Sequence, residues 1–318
     1  MRVYVPTYYK KFHCIAEKCK HNCCIGWDVE IDSESVAKYR EMKDRLGARI
    51  NKNIITEDGE YYFGMKENKK CPFLNQFGLC DIISELGENA VPYICRMHPR
   101  FKNVFSGREE IGLGLCCEEV ARIIVDEKEP FSLTVMKDGE ESVDDFESGI
   151  IDKRAEILDI FNDKTVGINH KIKQVAEKYS IEESVFCDKN SFEIFESLDY
   201  MDWKLPRTID WLTADESSFA SEIALPDDID MGLSNIACYF IFRILSPAET
   251  DNEFRARLGV VLLSISCIAQ TVKKLFRDAD GCSVQMLSEL SRIYSAEIEY
   301  SPQNMEILIG EFDILLNC

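Results

Sequence analysis

The stretch FHCIAEKCKHNCCIGWDVEID, residues 12–32, places four cysteines within eleven positions and ends at an aspartate suited to cap a helix. The cysteines follow the spacing Cys14-x4-Cys19-x3-Cys23-Cys24. Thiolates are soft ligands for zinc and for iron-sulfur clusters, and closely spaced ligands lower the entropic cost of closing a site, because only a short loop must be ordered. The stretch therefore predicts a metal-binding module near the start of the chain.

Further along the chain, more cysteines follow in two groups, Cys71-x8-Cys80-x14-Cys95 and then the adjacent pair Cys116-Cys117. Structural zinc, an iron-sulfur cluster and disulfides compete for these thiols. Repeated Cys-x2-Cys pairs, typical of structural zinc, do not occur, and neither does the Cys-x2-Cys-x2-Cys run of ferredoxins. Spacing alone leaves zinc and iron-sulfur open, with disulfides the least favoured. His13 and His21 adjoin the first group, where we expect surface residues rather than ligands.

The charge is distributed as unevenly as the cysteines. The chain has 318 residues and a formal net charge of −20, which disfavours a nucleic-acid or anionic-membrane partner. Residues 1–117 hold 18 basic and 16 acidic side chains and nine of the 14 cysteines, whereas residues 118–318 hold 19 basic and 41 acidic side chains. The net −22 of the second part is explained by a solvated surface, or by a docking surface for a lysine-bearing macromolecule.

Hydrophobic periodicity predicts a mainly α fold. We expect a Cys-rich N-terminal module with small β-hairpins over residues 1–122, and an acidic, all-helical bundle over residues 123–318. In the module, Asp32 and Ser33 precede a predicted helix that Gly47 ends, and hairpins are predicted about Asp58-Gly59 and Ser106-Gly107. Predicted helices of the bundle cover about residues 151–161, 168–179, 190–201, 231–246, 254–277, 284–298 and 303–315.

Two features bear on location. The N-terminus has no apolar stretch of signal-peptide length before its first cysteines, so we expect a cytoplasmic protein with reduced thiols. The longest apolar run, Leu258 to Ile268, is shorter than the roughly 20 residues that span a bilayer and predicts a buried helix. The scattered Cys187, Cys238, Cys267, Cys282 and Cys318 are expected to be core residues, since free cysteine is among the most buried residue types.

A family resemblance becomes specific at the cysteine groups. The opening stretch, the segment CPFLNQFGLCDIISELGENAVPYICRMHPR (residues 71–100) and LGLCCEE (residues 113–119) together resemble the flagellin lysine N-methylase (FliB-like) family. The entry segment VPTYYKKF and the intervening Gly26-Trp27, Pro72-Phe73-Leu74 and Pro99-Arg100 belong to the same pattern. The resemblance is dense over about residues 1–122 and weaker beyond.

This resemblance implies a cytoplasmic enzyme that transfers a methyl group from S-adenosylmethionine to lysine ε-amines of flagellin, with a cysteine-bound [4Fe-4S] cluster. The family cysteines match Cys14, Cys19, Cys23, Cys24, Cys71, Cys80, Cys95 and Cys117. Eight thiols exceed the four that one cubane needs, so the remainder are expected to support the site or to bind another metal. Cys116 stands where the family usually has a small residue, and His98 where it usually has Tyr.

Methylation of an amine requires that the lysine be neutral. Because the usual pKa of lysine is about 10.4, either the site must lower this pKa or an acceptor must take the proton. Tyr8, Tyr9, Asp28 and Tyr93 are candidate acceptors near the cysteines, with no commitment to any. The glycine-rich turn of the common methyltransferase fold is missing. A non-catalytic zinc- or iron-binding protein and an electron-transfer protein are the alternative functions.

Overall fold

The computed structural model describes residues 1–26, 28–66, 69–214 and 223–317. The chain forms two compact units, which we call the cysteine module, His13–Phe101, and the helical unit, formed by Met1–Phe12 together with Lys102–Cys318. The sequence predicted a division after residue 122. In the structure, the first twelve residues and residues 102–122, which include the last cysteine pair, belong with the helices.

The mainly α class is confirmed, with two small sheets among the helices. The strands are β1 Arg2–Pro6, β2 Val29–Glu30, β3 Ile54–Glu57, β4 Glu60–Phe63, β5 Arg100–Val104, β6 Arg108–Leu113 and β7 Leu133–Lys137. The α-helices are α1 Ser33–Glu41, α2 Arg45–Lys52, α3 Asp81–Leu86, α4 Tyr93–Met97, α5 Glu118–Val125, α6 Asp145–Asn162, α7 Ile168–Lys178, α8 Lys204–Thr213, α9 Asp227–Ile244, α10 Asp251–Asp278, α11 Val284–Tyr294 and α12 Pro302–Asn317.

The first predicted helix is wrong in one respect, because it is two helices. Asp32 caps α1 by accepting the Ser35 backbone N–H at 2.9 Å, and α1 ends at the extended residue Met42. Asp44 then caps α2 by accepting the Gly47 N–H at 2.6 Å. Gly47 therefore lies inside the second helix, where a Cβ would stand 2.3 Å from the Cβ of Met42. Close packing, not helix termination, requires this glycine.

The core of the cysteine module is aromatic and aliphatic. Phe63 at the end of β4 packs edge to face on Phe73 with ring centroids 4.7 Å apart, and Tyr39 of α1 lies 6.2 Å from Phe63. The predicted hairpin about Asp58-Gly59 is confirmed as β3 and β4, and the sheet order is β2-β4-β3. Cys71 is buried in this core. The packing of these residues fixes the backbone that carries the later cysteines.

A mixed four-stranded sheet, in the order β5-β6-β1-β7, begins the helical unit. The hairpin about Ser106-Gly107 is confirmed, and β1 pairs parallel with β6 and antiparallel with β7. Sequence analysis did not predict β7, whose residues follow a Pro-containing loop. This strand pairs with β1, which is distant in sequence, so the local sequence pattern gave little indication of it.

The seven helices predicted for the bundle follow their ranges with two differences, whereas α3, α4, α5 and α8 lie in no predicted range. Residues Asn190–Ser197 form a 3₁₀-helix rather than an α-helix, and the helix expected over residues 284–298 changes after Tyr294 into a π-helical turn, Ser295–Glu299. Of the five scattered cysteines, Cys238, Cys267 and Cys282 are buried as predicted, Cys187 is half-buried, and Cys318 lies outside the described residues.

Helix α10 is long and apolar enough to cross a membrane. However, 94% of its most apolar stretch is buried inside the protein. A core helix of a soluble protein has the same properties, because a helix surrounded by other helices must be apolar on all sides. The burial confirms the prediction that residues 258–268 form a buried helix.

Candidate metal centre

The first two cysteine groups meet through a short antiparallel ladder. The backbone N–H of Cys71 donates to the carbonyl oxygen of Cys24 at 2.8 Å, and the N–H of Gly26 donates to the carbonyl oxygen of Lys69 at 2.9 Å. Gly26 has φ +98°, in the left-handed region that favours glycine. This ladder explains why Gly26 follows the Cys23-Cys24 pair, since the chain must turn there to pair with the segment before Cys71.

A tight loop then brings Cys80 back toward Cys71. The side-chain oxygen of Asn75 accepts the backbone N–H groups of Phe77 and Leu79 at 2.9 and 3.1 Å, which holds the loop in shape. From the other segment, the side-chain amide of Asn22 donates to the carbonyl oxygen of Gly78 at 3.0 Å, and its oxygen accepts the Cys24 N–H at 2.9 Å. One asparagine therefore links the Cys24 backbone to the Cys80 loop.

Cys95 lies on the short helix α4, whose position is set from α1. Asp32, the cap of α1, also accepts the Tyr93 backbone N–H at 2.7 Å, at the first residue of α4. The hydroxyl of Tyr39 donates to the carbonyl oxygen of Ala90 at 2.6 Å, in the turn that precedes α4. Both contacts tie α4 to the core helix and fix where Cys95 stands.

Five thiols interact electrostatically in this arrangement. The Cys24 thiol donates a hydrogen bond to Cys23, which lowers the pKa of Cys23 to about 7 and raises that of Cys24. Burial raises the pKa of Cys95, and the charges of Cys71, Cys23 and Cys80 raise it further. Burial likewise raises the pKa of Cys71 and of Cys80. We call Cys23, Cys24, Cys71, Cys80 and Cys95 the thiol cluster.

The donor set of the thiol cluster suits a soft metal or an iron-sulfur cluster. In such a group, a charged thiolate opposes the ionisation of its neighbours. A nearby cation stabilises the thiolates, and a bound metal supplies that positive charge. In the described part of the chain, no group of three or more His, Cys, Asp or Glu side chains has an arrangement that could hold a metal ion directly. The five thiols are neighbours, and they are the side chains that would hold such a group.

The remaining predicted ligands are Cys14, Cys19 and Cys117, of which the first two belong to the same module as the thiol cluster. Cys14 is exposed, and its sulfur accepts the backbone N–H of Ala16 at 3.4 Å. Cys19 is half-buried and ends the 3₁₀-helix Ala16–Lys18. Cys117 belongs to the helical unit, where it precedes the first residue of α5. The structure thus places five of the eight predicted ligands in one cluster within the cysteine module.

His98 is partly buried in the cysteine module. Burial, together with the charge of Arg100, lowers the pKa of its imidazole to about 4, so the ring is neutral at physiological pH. Of the candidate proton acceptors, Tyr8 is buried and Tyr93 exposed. Burial raises the pKa of Tyr8, which makes its hydroxyl a poor proton acceptor at neutral pH. Tyr9 is half-buried and Asp28 exposed.

A buried polar network in the helical unit was missed by sequence analysis. The carboxylate of Glu299, 2% exposed, accepts hydrogen bonds from the Tyr239 hydroxyl at 2.6 Å, the Arg243 Nε at 3.0 Å and the Ser295 hydroxyl at 2.7 Å. Burial raises the pKa of Glu299 despite the guanidinium. The π-helical turn places Glu299 and Ser295 on one side, and such turns are frequent at functional sites. An irregular helix turn gives no periodicity signal in sequence.

The same network reaches the last cysteine pair. The Tyr239 hydroxyl accepts the Leu115 backbone N–H at 3.0 Å, and the Tyr300 hydroxyl hydrogen bonds with the Cys116 thiol. The guanidinium of Arg243 lies over the Tyr300 ring, 5.5 Å from its centroid. A Cβ on Gly114 would stand 1.7 Å from the Tyr300 hydroxyl, so the absence of a side chain at Gly114 leaves room for the Tyr300 ring. Gly114 therefore has a packing role.

Comparison with known proteins gives a distant relationship. The chain is 26% identical over 135 residues to a lysine-N-methylase of Salmonella typhimurium, 41% of this chain and 34% of that protein. It is 27% identical over 134 residues to the flagellar biosynthetic protein FliU of Salmonella muenchen, 40% of this chain and 79% of that protein. Over about two fifths of its length, the chain resembles the lysine-N-methylases.

The resemblance to lysine-N-methylases found in the sequence is thus confirmed, at low identity. A second lysine-N-methylase, from Salmonella choleraesuis, matches at 26% identity over 135 residues. The chain spans about a third of the length of the lysine-N-methylases it matches, 34% in each case. No protein-family model and no solved structure matches the chain.

Proposed function

We propose that this protein is a cytoplasmic lysine N-methyltransferase that uses S-adenosylmethionine to methylate lysine side chains of flagellin. Two relatives are named lysine-N-methylase and a third is named for flagellar biosynthesis, which supports a lysine methylase with a flagellar substrate. The observation that carries the proposal within the chain is the thiol cluster, because it joins cysteines of the first two sequence groups.

The thiol cluster is the proposed site of a [4Fe-4S] cluster. Four thiolates are needed, and five thiols are neighbours there. A bound cluster supplies one-electron chemistry. The chain's own part is to present the thiolates, through the Cys24–Cys71 ladder and helix α4, in a partly buried setting.

Methyl transfer by direct displacement must balance atoms and charge. The lone pair of a neutral lysine nitrogen forms the new N–C bond as the C–S bond of the sulfonium donor breaks, and S-adenosylhomocysteine leaves. The proton that lysine loses passes to an acceptor or to water. Because the ordinary pKa of lysine is about 10.4, desolvation of the amine or a nearby carboxylate must assist this step.

The decisive experiment is anaerobic purification followed by two measurements on one sample. Iron and sulfide analysis with Mössbauer spectroscopy identifies the metal, and mass spectrometry follows methylation of purified cognate flagellin by S-adenosylmethionine. We expect four irons and four sulfides per chain, as in one cubane. On flagellin lysines we expect mass increases that each correspond to the replacement of one hydrogen by a methyl group. A cluster-containing sample that leaves flagellin unmodified contradicts the proposed activity.

Zinc is the competing metal in this experiment. A sample that contains zinc without iron contradicts the iron-sulfur part of the proposal and leaves the methylation assay to decide the activity. If S-adenosylmethionine also produces no heat of binding in calorimetry, the protein is a non-catalytic metal-binding module. A control with Cys282→Ser, a buried cysteine of the helical unit, is expected to retain the metal and the activity of the wild type.

A further inference from the structure

A groove of about 380 Å³ lies along helix α8 in the helical unit. Most of its lining comes from α8 and from the residue that caps this helix, namely Trp203, Lys204, Arg207, Thr208 and Trp211. These residues recur at steps of three or four, so they share one face of the helix. Ile293 of α11 completes the lining.

The aromatic part of the groove consists of two indole rings. Trp203 is 64% exposed and Trp211 is 37% exposed, although tryptophan is on average a highly buried residue. The guanidinium of Arg207 lies 5.5 Å from the centroid of the Trp203 ring, and the ammonium of Lys274, on α10, lies 4.9 Å from that of Trp211. These cation–π contacts hold the two rings in position while part of each stays exposed, so a flat aromatic ligand can stack there.

The charge of the groove is opposite to that of the surrounding chain. Residues 118–318 carry a net charge of −22, yet none of the six lining residues is acidic, and Lys204 and Arg207 are basic. Lys204 meets Asp202 at 3.6 Å with both side chains about 40% exposed, which makes a weak pair. Among the residues that the structure describes, no carboxylate forms an ion pair with Arg207. The groove therefore favours a ligand that carries an anionic group.

We propose that this groove binds a nucleoside phosphate. The base stacks on Trp211, and the phosphate meets Arg207, about one helical turn earlier, together with Lys204. A guanidinium can donate two parallel hydrogen bonds to phosphate oxygens, which gives the site its preference for this anion. Trp203 is a positioning residue, because its ring lies against Arg207.

The size of the groove restricts the ligand to a single nucleotide. Its volume is near the lower end of the range of ligand sites, about 300–1,000 Å³. The net charge of −22 on residues 118–318 opposes the approach of a polyanion such as a nucleic-acid strand, whereas one phosphate can be neutralised by the two basic side chains of the groove.

The methyl donor of the proposed function is a less suitable occupant. S-adenosylmethionine also contains an adenine ring, but its sulfonium is a cation and would lie among Lys204, Arg207 and Lys274. Charge therefore selects a nucleoside phosphate over the methyl donor. The groove adds a second ligand to the protein, and this inference does not depend on the proposed methyltransferase activity.

Isothermal titration calorimetry of the full chain, purified anaerobically, tests the two parts of the site separately. The probes are adenosine 5′-monophosphate, adenosine and inorganic phosphate. We expect the nucleotide to bind at least about tenfold more tightly than either of the others, because it alone engages both Trp211 and Arg207. An increase in salt from about 20 mM to about 200 mM is expected to weaken binding of the nucleotide and to leave that of adenosine within about twofold.

Variants locate the binding in the groove. Trp211→Leu and Arg207→Gln are each expected to weaken nucleotide binding at least about tenfold, and Trp203→Leu, at the most exposed ring, to weaken it less. The matched controls are Phe146→Leu, which removes a ring that is 38% exposed on α6, and Arg45→Gln, which removes an exposed guanidinium of the cysteine module. Both controls are expected to bind within about twofold of wild type. Circular dichroism confirms that each variant is folded.

Three results would overturn the proposal. The first is wild-type protein that does not bind the nucleotide. The second is nucleotide binding that is as tight in Trp211→Leu and Arg207→Gln as in wild type. The third is binding of S-adenosylmethionine that both variants lose, without any binding of the nucleotide, since the groove would then be a site for the methyl donor.

Discussion

The backbone N–H of Cys71 donates a hydrogen bond to the carbonyl oxygen of Cys24 at 2.8 Å. This bond joins two cysteine blocks that are far apart in sequence, and it continues the antiparallel bridge between Ile25 and Lys70. A main-chain contact fixes the relative position of the two cysteine backbones, because it does not depend on rotamers. The thiol cluster is therefore built on backbone geometry.

Loss of a clustered thiol is expected to abolish metal loading. Cys71→Ser and Cys95→Ser each remove a buried or partly buried member of the thiol cluster, and we expect iron per chain to fall at least about tenfold after anaerobic reconstitution. Cys14→Ser changes an exposed thiol of the same module and is expected to reduce iron far less. Iron and sulfide analysis measures all three. Equal iron in Cys14→Ser and Cys71→Ser would argue that the five-thiol assignment is wrong.

His98 is expected to make the metal-free protein less stable in acid. Its pKa falls from 6.5 to about 4 on folding, so between these values the unfolded chain binds a proton that the folded chain does not. The free energy of unfolding therefore decreases as pH falls from 6.5 toward 4, by up to about 1.4 kcal/mol per pH unit from this group. The contribution of neutral His98 to the free energy of unfolding is fully present above pH 6.5.

The measurement is urea unfolding of chelator-treated protein at several pH values, compared with His98→Gln. We expect wild type to lose about 2–3 kcal/mol more than the variant between pH 7 and pH 4. Carboxylates titrate in both proteins, and the comparison cancels their contribution. Parallel pH curves for the two proteins would mean that the pKa of His98 is not depressed in the fold.

Arg243 is expected to be important for stability because it faces a buried carboxylate. Arg243→Met leaves Glu299 without its guanidinium, and an uncompensated buried charge costs about 3 kcal/mol or more. Adding Glu299→Leu removes that charge and is expected to recover part of the loss. As a control, Lys178→Met breaks the exposed pair with Glu156 and should cost less than about 1 kcal/mol. Denaturant unfolding measures all three, and a similar cost for both arginine and lysine variants would contradict the prediction.

Gly114 is expected to tolerate no larger residue while Tyr300 is present. In Gly114→Ala the new Cβ meets the Tyr300 hydroxyl at 1.7 Å and the ring carbon behind it at 2.7 Å, so the ring must move, at a cost of about 1–3 kcal/mol. Tyr300→Phe removes the nearer atom, and the double variant is expected to lose less stability than the sum of the two single variants. Gly149→Ala, where no atom lies within 4 Å of the Cβ, is the control and should be neutral or stabilising. Additive losses in a double-mutant cycle would show that the two positions do not contact each other.

Much of the fold follows from local signals in the sequence. Asp32 caps α1 at the place where hydrophobic periodicity begins, and the Asp58-Gly59 pair forms the turn of a hairpin. The long apolar stretch of α10 is buried as its composition predicts. These signals depend on contacts within a few residues, so they can be read without knowing the fold. The spacing of the cysteines likewise indicated metal chemistry before any geometry was known.

Only the tertiary structure decided which thiols are neighbours and which residues support them. The sequence offered eight candidate ligands, and five of them interact in the cysteine module, because a backbone ladder, an asparagine-stabilised loop and the position of α4 bring three distant segments together. The Glu299 network depends on an irregular helical turn and on helix packing. Such features have no sequence period, since long-range packing rather than local preference creates them.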